Sequence, residues 1–175
     1  MTVGRLAAKE RYKGFDEVIE LMPALLRRFP TLKYLIVGDG PDRRRLEAKV
    51  RGLGLANHVV FTGYVAESEK VAHYNLADAY VMPSMGEGFG IVLIEAVACG
   101  VPAVGSRIDG SREALLNGAL GELVNPCQPL ELQAAIEQVL EEGRPHARAD
   151  AVGTFSVGNF QKRVRNWCSL QLAQT

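Results

Sequence analysis

Short apolar runs alternate with amphipathic segments along most of this chain, and a glycine or proline marks nearly every boundary. The first run, Thr2 to Arg5, reads as a strand cut short on its N-terminal side. Phe15, Val18, Ile19, Met22, Leu25, Leu26 and Phe29 then recur at helical spacing up to Pro30, which predicts an amphipathic helix with a stop signal. Lys33 to Val37 is a second strand, ending at Gly38-Asp39-Gly40-Pro41. Leu46, Val50 and Leu53 mark the inward face of the next helix, and Arg43, Arg44 and Arg45 stand near its start. The same spacing predicts strands at Val59 to Phe61, Ala79 to Met82, Ala103 to Gly105 and Gly121 to Val124. Helices are predicted from about Glu67 to Asn75, Ile91 to Cys99, Leu130 to Glu141 and Ser156 to Leu170, with a helical turn near Glu113.

Apolar strands without polar alternation, each followed by a helix, imply a parallel sheet buried on both faces and joined by right-handed crossovers. The expected fold class is α/β: a single Rossmann-like doubly wound parallel sheet of about six strands with helices on both faces. The 175 residues, 47% of them hydrophobic, suffice for one well-buried core. Residues 1–145 are expected to form that domain, and residues 146–175 a connection and helix packing on it. Twenty Lys and Arg balance twenty Asp and Glu, so no net field draws nucleic acid or an anionic membrane, and an anionic ligand needs a local site. Cys99, Cys127 and Cys168, like His58, His73 and His146, are scattered, which suggests reduced thiols and no metal site. No apolar run approaches the ~18 residues of a transmembrane helix and the start lacks a signal-peptide stretch, so the expected compartment is the cytoplasm.

Ligands of such sheets lie beyond the carboxyl ends of the strands. The informative segment there is Pro83 to Pro102, PSMGEGFGIVLIEAVACGVP, where a strand ends in a glycine-rich loop and a helix begins near Ile91. Glu87 lies at the helix entrance and Glu95 just over one turn inside, so both can face one ligand across the helix N-terminus. Gly88 and Gly90 allow close backbone approach and free N–H donors, and the helix dipole favours negative charge, which suits a diphosphate. A carboxylate only accepts hydrogen bonds, so Glu95 suits a neutral diol such as ribose, and Glu87 a sugar hydroxyl. In isolation, such glutamates are most often solvated surface residues. Arg5 and Lys13 have Lys9 and Arg11 as rival cations, and the three arginines from Arg43 read most simply as a solvated helix face. Gly38-Asp39-Gly40 lacks the third glycine of a dinucleotide loop, where Arg43 stands instead.

E-G-F-G-I-V-L-I-E at Glu87 to Glu95 resembles the E-x7-E motif of group 1 (family four) retaining glycosyltransferases, whose GT-B architecture faces two Rossmann domains across a cleft. V-G-R-L at Val3 with K-G at Lys13, V-G-D-G-P at Val37, F-T-G-Y-V at Phe61, G-V-P-A-V at Gly100, G-S-R-E-A-L at Gly110 and G-E-L-V-N-P at Gly121 follow in that family's order. The likeness covers roughly residues 3 to 142, nearly the whole C-terminal, donor-binding domain. It implies that Arg5 and Lys13 hold the donor diphosphate, with Glu87 on the donor sugar and Glu95 on the ribose. The backbone of Gly88, Phe89, Gly90 and Ile91 would cradle sugar and phosphate, with Gly4, Gly38 and the Gly63-Tyr64-Val65 wall completing the donor site. It implies a UDP-, GDP- or ADP-linked hexose as substrate, transferred with retention to a cell-envelope glycan or lipid by front-face attack, with no metal, no further cofactor and no assigned nucleophile.

The likeness does not extend to the family's N-terminal acceptor domain, so this chain is expected to bind donor without turnover and to reach the inner membrane face only through such a domain. Cys127 stands where an acidic residue or glycine is common, at a place expected to be remote from the donor. Phe160, Val164, Trp167 and Cys168 form an apolar stripe on the last helix, and self-association is one way to cover it. The other readings are a non-catalytic nucleotide-sugar-binding or interaction module and part of a nucleotide-sugar epimerase.

Overall fold

The computed structural model describes residues 1–144 and 149–172. His146 and part of the Gly143 to Gly153 connection lie outside them. Strands β1 (Thr2–Val3), β2 (Tyr34–Val37) and β3 (Val59–Gly63) form one parallel ladder. β4 (Tyr80–Met82), β5 (Ala103–Ser106) and β6 (Gly121–Val124) form a second, in the orders β1-β2-β3 and β4-β5-β6. The two meet at β1 and β4: the Met1 amine donates to the Ala79 carbonyl at 2.6 Å, and the Val81 N–H donates to the Met1 carbonyl at 2.9 Å. The Thr2 hydroxyl adds a bond to the Val81 carbonyl at 2.5 Å. The six strands therefore run side by side as β3-β2-β1-β4-β5-β6. Two residues of β1 are too few to merge the ladders into one continuous sheet, but the order is that of a doubly wound fold. Its direction reverses between β1 and β4, and the crevice beyond their carboxyl ends is where such folds take ligands.

Helices α1 (Phe15–Arg28), α2 (Arg43–Gly52) and α6 (Pro129–Glu142) supply one apolar cluster, and α3 (Lys70–Asn75), α4 (Ile91–Ala98) and α5 (Ser111–Ala114) supply the other. Helices thus cover both faces of the sheet. α1 is held by Val18, Ile19, Met22 and Leu25, all buried, and its acidic first turn and basic last turn complement the helix dipole. Pro23 lies inside α1 and cannot donate the N–H that would reach one turn back; the buried face carries the helix past it.

Most expected elements appear with their ends moved by a residue or two, as helix fraying and short strands allow. The segment after β3 begins with a 3-10 turn, Glu67–Glu69, before α3. The arginine run is more than a solvated face. Arg45 makes bonds of 2.6–3.0 Å to both Asp16 on α1 and Asp42, and Lys49 joins Asp16 at 2.6 Å, so charge pairs fasten α2 to α1. Arg44 is exposed.

A last helix, α7 (Val157–Leu172), follows the 3-10 turn Ala149–Phe155. The Phe155 ring packs edge-on against Phe89, with 5.7 Å between centroids. On α7 itself, Phe160, Val164, Trp167 and Cys168 are all exposed. Among the described residues no helix is long and apolar enough to cross a membrane.

Candidate functional site

The carboxyl ends of β1, β2 and β3 are packed backbone to backbone. The Gly4 N–H donates to the Val37 carbonyl at 2.9 Å, and the Gly38 N–H to the Gly63 carbonyl at 3.0 Å. A Cβ on Gly38, whose φ is +134°, would stand 2.0 Å from the Gly4 carbonyl oxygen, so only glycine fits. Beyond this layer Tyr64 projects into solvent and Val65 is half-buried.

After β1 the chain winds through a 3-10 turn, Ala8–Lys13, which brings Arg5 and Lys13 onto one carboxylate. Arg5 donates from Nε to Glu10 Oε1 at 2.7 Å and again through its terminal nitrogen, and Lys13 Nζ lies 3.1 Å from Glu10 Oε2. The Arg5 hydrogen bond holds the Glu10 carboxyl below its usual range, with Lys13 assisting against burial. Arg5 is 71% exposed and accessible to an incoming anion, whereas Lys13 is 17% exposed behind it. Of the rival cations, Arg11 turns away to Asp42 at 3.1 Å, and Lys9 is exposed.

This loop is locked to the one after β4. The Met85 N–H donates to the Tyr12 carbonyl at 2.8 Å, and Gly14, in the left-handed region at φ +85°, sits so close to Pro83 that a Cβ would lie 2.6 Å from its ring. Asp109 organises the second loop. It accepts the Ser84 hydroxyl, the Glu87 N–H at 2.9 Å and the Ser111 N–H at 2.9 Å, while the Gly110 N–H donates to the Glu87 carbonyl at 2.9 Å. Among the described residues the Glu87 carboxylate has no hydrogen-bond partner. Gly88 faces open space, and Gly90, at φ +85°, turns the chain into α4, whose first N–H groups need partners from outside the helix.

Glu95, on α4, is not a bare acceptor. Lys70 Nζ lies 2.9 Å from its Oε1 and the Tyr74 hydroxyl donates to its Oε2 at 2.7 Å. Burial opposes the Lys70 charge, but the bonds to Glu95 and Glu67 prevail and its pKa is raised. Burial, then Tyr80 and Glu95, push the Tyr74 hydroxyl up as well. Cys127 is exposed, and its Sγ stands 3.9 Å from the sulfur of Met85, two residues before Glu87.

The predicted residues thus fall into linked groups at one end of the sheet: Arg5 with Lys13, the Glu87 to Ile91 loop, Glu95 with α3, and the layer of Gly4, Gly38 and Gly63. Glu10, Lys70, Tyr74 and Asp109 were not singled out from the sequence. Of these only Asp109 carried a local signal, an Asx turn two residues ahead of a helical N–H. A cavity of about 530 Å³, lined among others by Met22, Leu25, Tyr34, Ala79 and Leu140, lies at the other end of the strands and is mostly apolar. Its two cations, Lys33 and Arg144, already donate to the backbone carbonyls of Asn57 and of Asn75 and Ala77.

Residues 1–153 match the family described as glycosyl transferases group 1. The chain is 37% identical over 161 residues to the GDP-mannose-dependent alpha-(1-6)-phosphatidylinositol monomannoside mannosyltransferase of Mycolicibacterium smegmatis, covering 87% of this chain and 42% of that protein. It therefore spans less than half the length of that relative. Anabaena HepE, solved in complex with UDP, superposes with a TM-score of 0.76 at 24% identity over 96% of this chain and 48% of that one. The C-terminal domain of the group 1 protein LpcC from Francisella tularensis superposes with a TM-score of 0.71 at 23% identity, covering 89% of this chain and 84% of that domain. A sheet reversing at β1 and β4, two loops locked across that crevice and a family match over most of the sequence agree: the chain belongs to the glycosyl transferases group 1 family, as its C-terminal domain.

Proposed function

We propose that this chain is the donor-binding domain of a retaining hexosyltransferase that uses a nucleoside diphosphate sugar. The observation that carries the reading is the convergence of Arg5 and Lys13 on Glu10, beside the loop that leads into α4. Two cations gathered on one carboxylate already form a cradle for a diphosphate, which exchanges with Glu10 when the donor binds. The leaving group's charge grows as the bond from the anomeric carbon to the diphosphate oxygen breaks, so cations and helical N–H groups aimed there stabilise the transition state. Glu87, with its N–H fixed by Asp109 and its carboxylate unpartnered among the described residues, orients the hexose, and Glu95 accepts from the ribose. The acceptor oxygen attacks from the face the diphosphate leaves, so configuration is retained and no protein nucleophile is assigned. The Mycolicibacterium relative uses GDP-mannose, which makes GDP-mannose the first donor to test.

Calorimetry tests the assignment. Arg5→Ala should weaken GDP at least tenfold and guanosine hardly at all, because it removes only a charge-assisted phosphate contact worth ~1.5–3 kcal/mol. Equal losses for both ligands would place Arg5 away from the diphosphate. Glu87→Gln should weaken GDP-mannose relative to GDP, and an unchanged ratio would remove Glu87 from the sugar.

A further inference from the structure

Glu95 is held from behind by two donors on α3, an arrangement the diphosphate reading does not require. We propose that Lys70 and Tyr74 are positioning residues that fix Glu95 as the acceptor for a ribose cis-diol, making the site selective for ribonucleotides over deoxyribonucleotides. The inference rests on the donor-binding reading above and assigns new roles within that site.

The geometry supports it in three ways. A carboxylate offers about four lone-pair positions on two oxygens. Lys70 takes one on Oε1 and Tyr74 one on Oε2, leaving one on each oxygen for the two hydroxyls of a diol. Tyr74 is a fixed donor rather than a mobile one: it is buried, its ring lies 5.8 Å from that of Tyr80, and its hydroxyl stays protonated because burial raises its pKa. Lys70 also pairs with Glu67 at 2.9 Å, so one cation serves two carboxylates and the group keeps a net negative charge. Such a group favours neutral hydroxyl donors and repels a phosphate, which keeps ribose and diphosphate in separate places along α4.

The test is the affinity of the folded chain for GDP and for 2′-deoxy-GDP, measured by calorimetry on the wild type and on Tyr74→Phe, Lys70→Met, Lys70→Arg and Glu95→Gln. Wild type should prefer GDP, and Glu95→Gln should abolish most of that preference. Tyr74→Phe and Lys70→Met should each lower the GDP to 2′-deoxy-GDP ratio by about fivefold, the scale of one well-placed hydrogen bond, with affinity for the deoxynucleotide little changed. Lys70→Arg should restore most of the ratio. A merely structural role would weaken both nucleotides equally and leave the ratio intact, which overturns the proposal while Glu95 keeps its role. Loss of the preference in Glu95→Gln alone has the same meaning. If wild type binds both nucleotides without preference, the ribose role of Glu95 and the positioning role fall while the diphosphate reading stands; if it binds neither, the donor reading itself falls. Should Tyr74→Phe fail to fold, the two Lys70 variants decide the matter.

Discussion

At the scale of single residues, charge rather than burial distinguishes the parts of this domain. Asp16 sits between Arg45 and Lys49, and the Arg45 hydrogen bonds hold its carboxyl down to about 2 against the cost of burial. A carboxyl whose pKa is lower in the folded state stabilises the fold above its unfolded value, near 3.9. That contribution disappears as the pH falls from about 4 to about 2. After allowance for solvent screening it amounts to roughly 1–2 kcal/mol. Asp16→Asn should therefore be less stable than wild type at pH 7 by about this amount, and the two should converge near pH 2 in urea titrations. A difference that persists at pH 2 would mean that the ion pairs do not set it. Arg5 differs from Arg45 in exposure: it is mostly exposed, so its pairing with Glu10 adds little to stability and leaves it open to solvent.

At the scale of elements, the loops after β1 and β4 are built by close backbone contact and by Asp109. Gly38→Ala should cost about 2–4 kcal/mol, because the new Cβ would meet the Gly4 carbonyl at 2.0 Å and φ is +134°. Thermal melts check this; a change below about 0.5 kcal/mol would show that the glycine layer yields easily. Asp109→Ala removes the acceptor for the Ser84 hydroxyl and the Glu87 and Ser111 N–H groups. Hydrogen exchange at Glu87 and Ser111 should accelerate at least tenfold, while protection in β2 and α1 stays within threefold of wild type. Unaltered exchange at both residues would remove Asp109 as the organiser of the loop.

At the scale of the whole molecule, the loop after β4 faces open space at Gly88, and α7 presents Phe160, Val164 and Trp167 to solvent. An exposed stripe of this kind promotes association through apolar burial. Sedimentation of this chain should show concentration-dependent self-association, and Trp167→Ser should reduce it. The same preparation should bind GDP-mannose and transfer no mannose to a lipid or glycan acceptor. A strictly monomeric chain would show that the stripe does not drive association, and acceptor-dependent transfer would overturn the reading of this chain as a donor-binding part.

The alternation of strand and helix, the glycine-bounded strand ends and the placement of Glu87, Gly90 and Glu95 around the start of α4 were legible in the sequence, because each rests on spacing within a few neighbouring residues. Arg5 and Lys13 were nominated through the family resemblance, and the carboxylate that gathers them was not visible in the sequence. Tertiary structure alone brought Lys70 and Tyr74 to Glu95 from more than twenty positions away, set Asp109 under the Glu87 loop, and turned Arg11 to Asp42 and Arg45 to Asp16. It also set Cys127 next to Met85, forty-two positions distant. The physical reason is the same in each case. Periodicity and turn chemistry are local properties of the backbone, whereas the partner of a charged or polar side chain is chosen by which elements the buried sheet and its crossovers bring face to face.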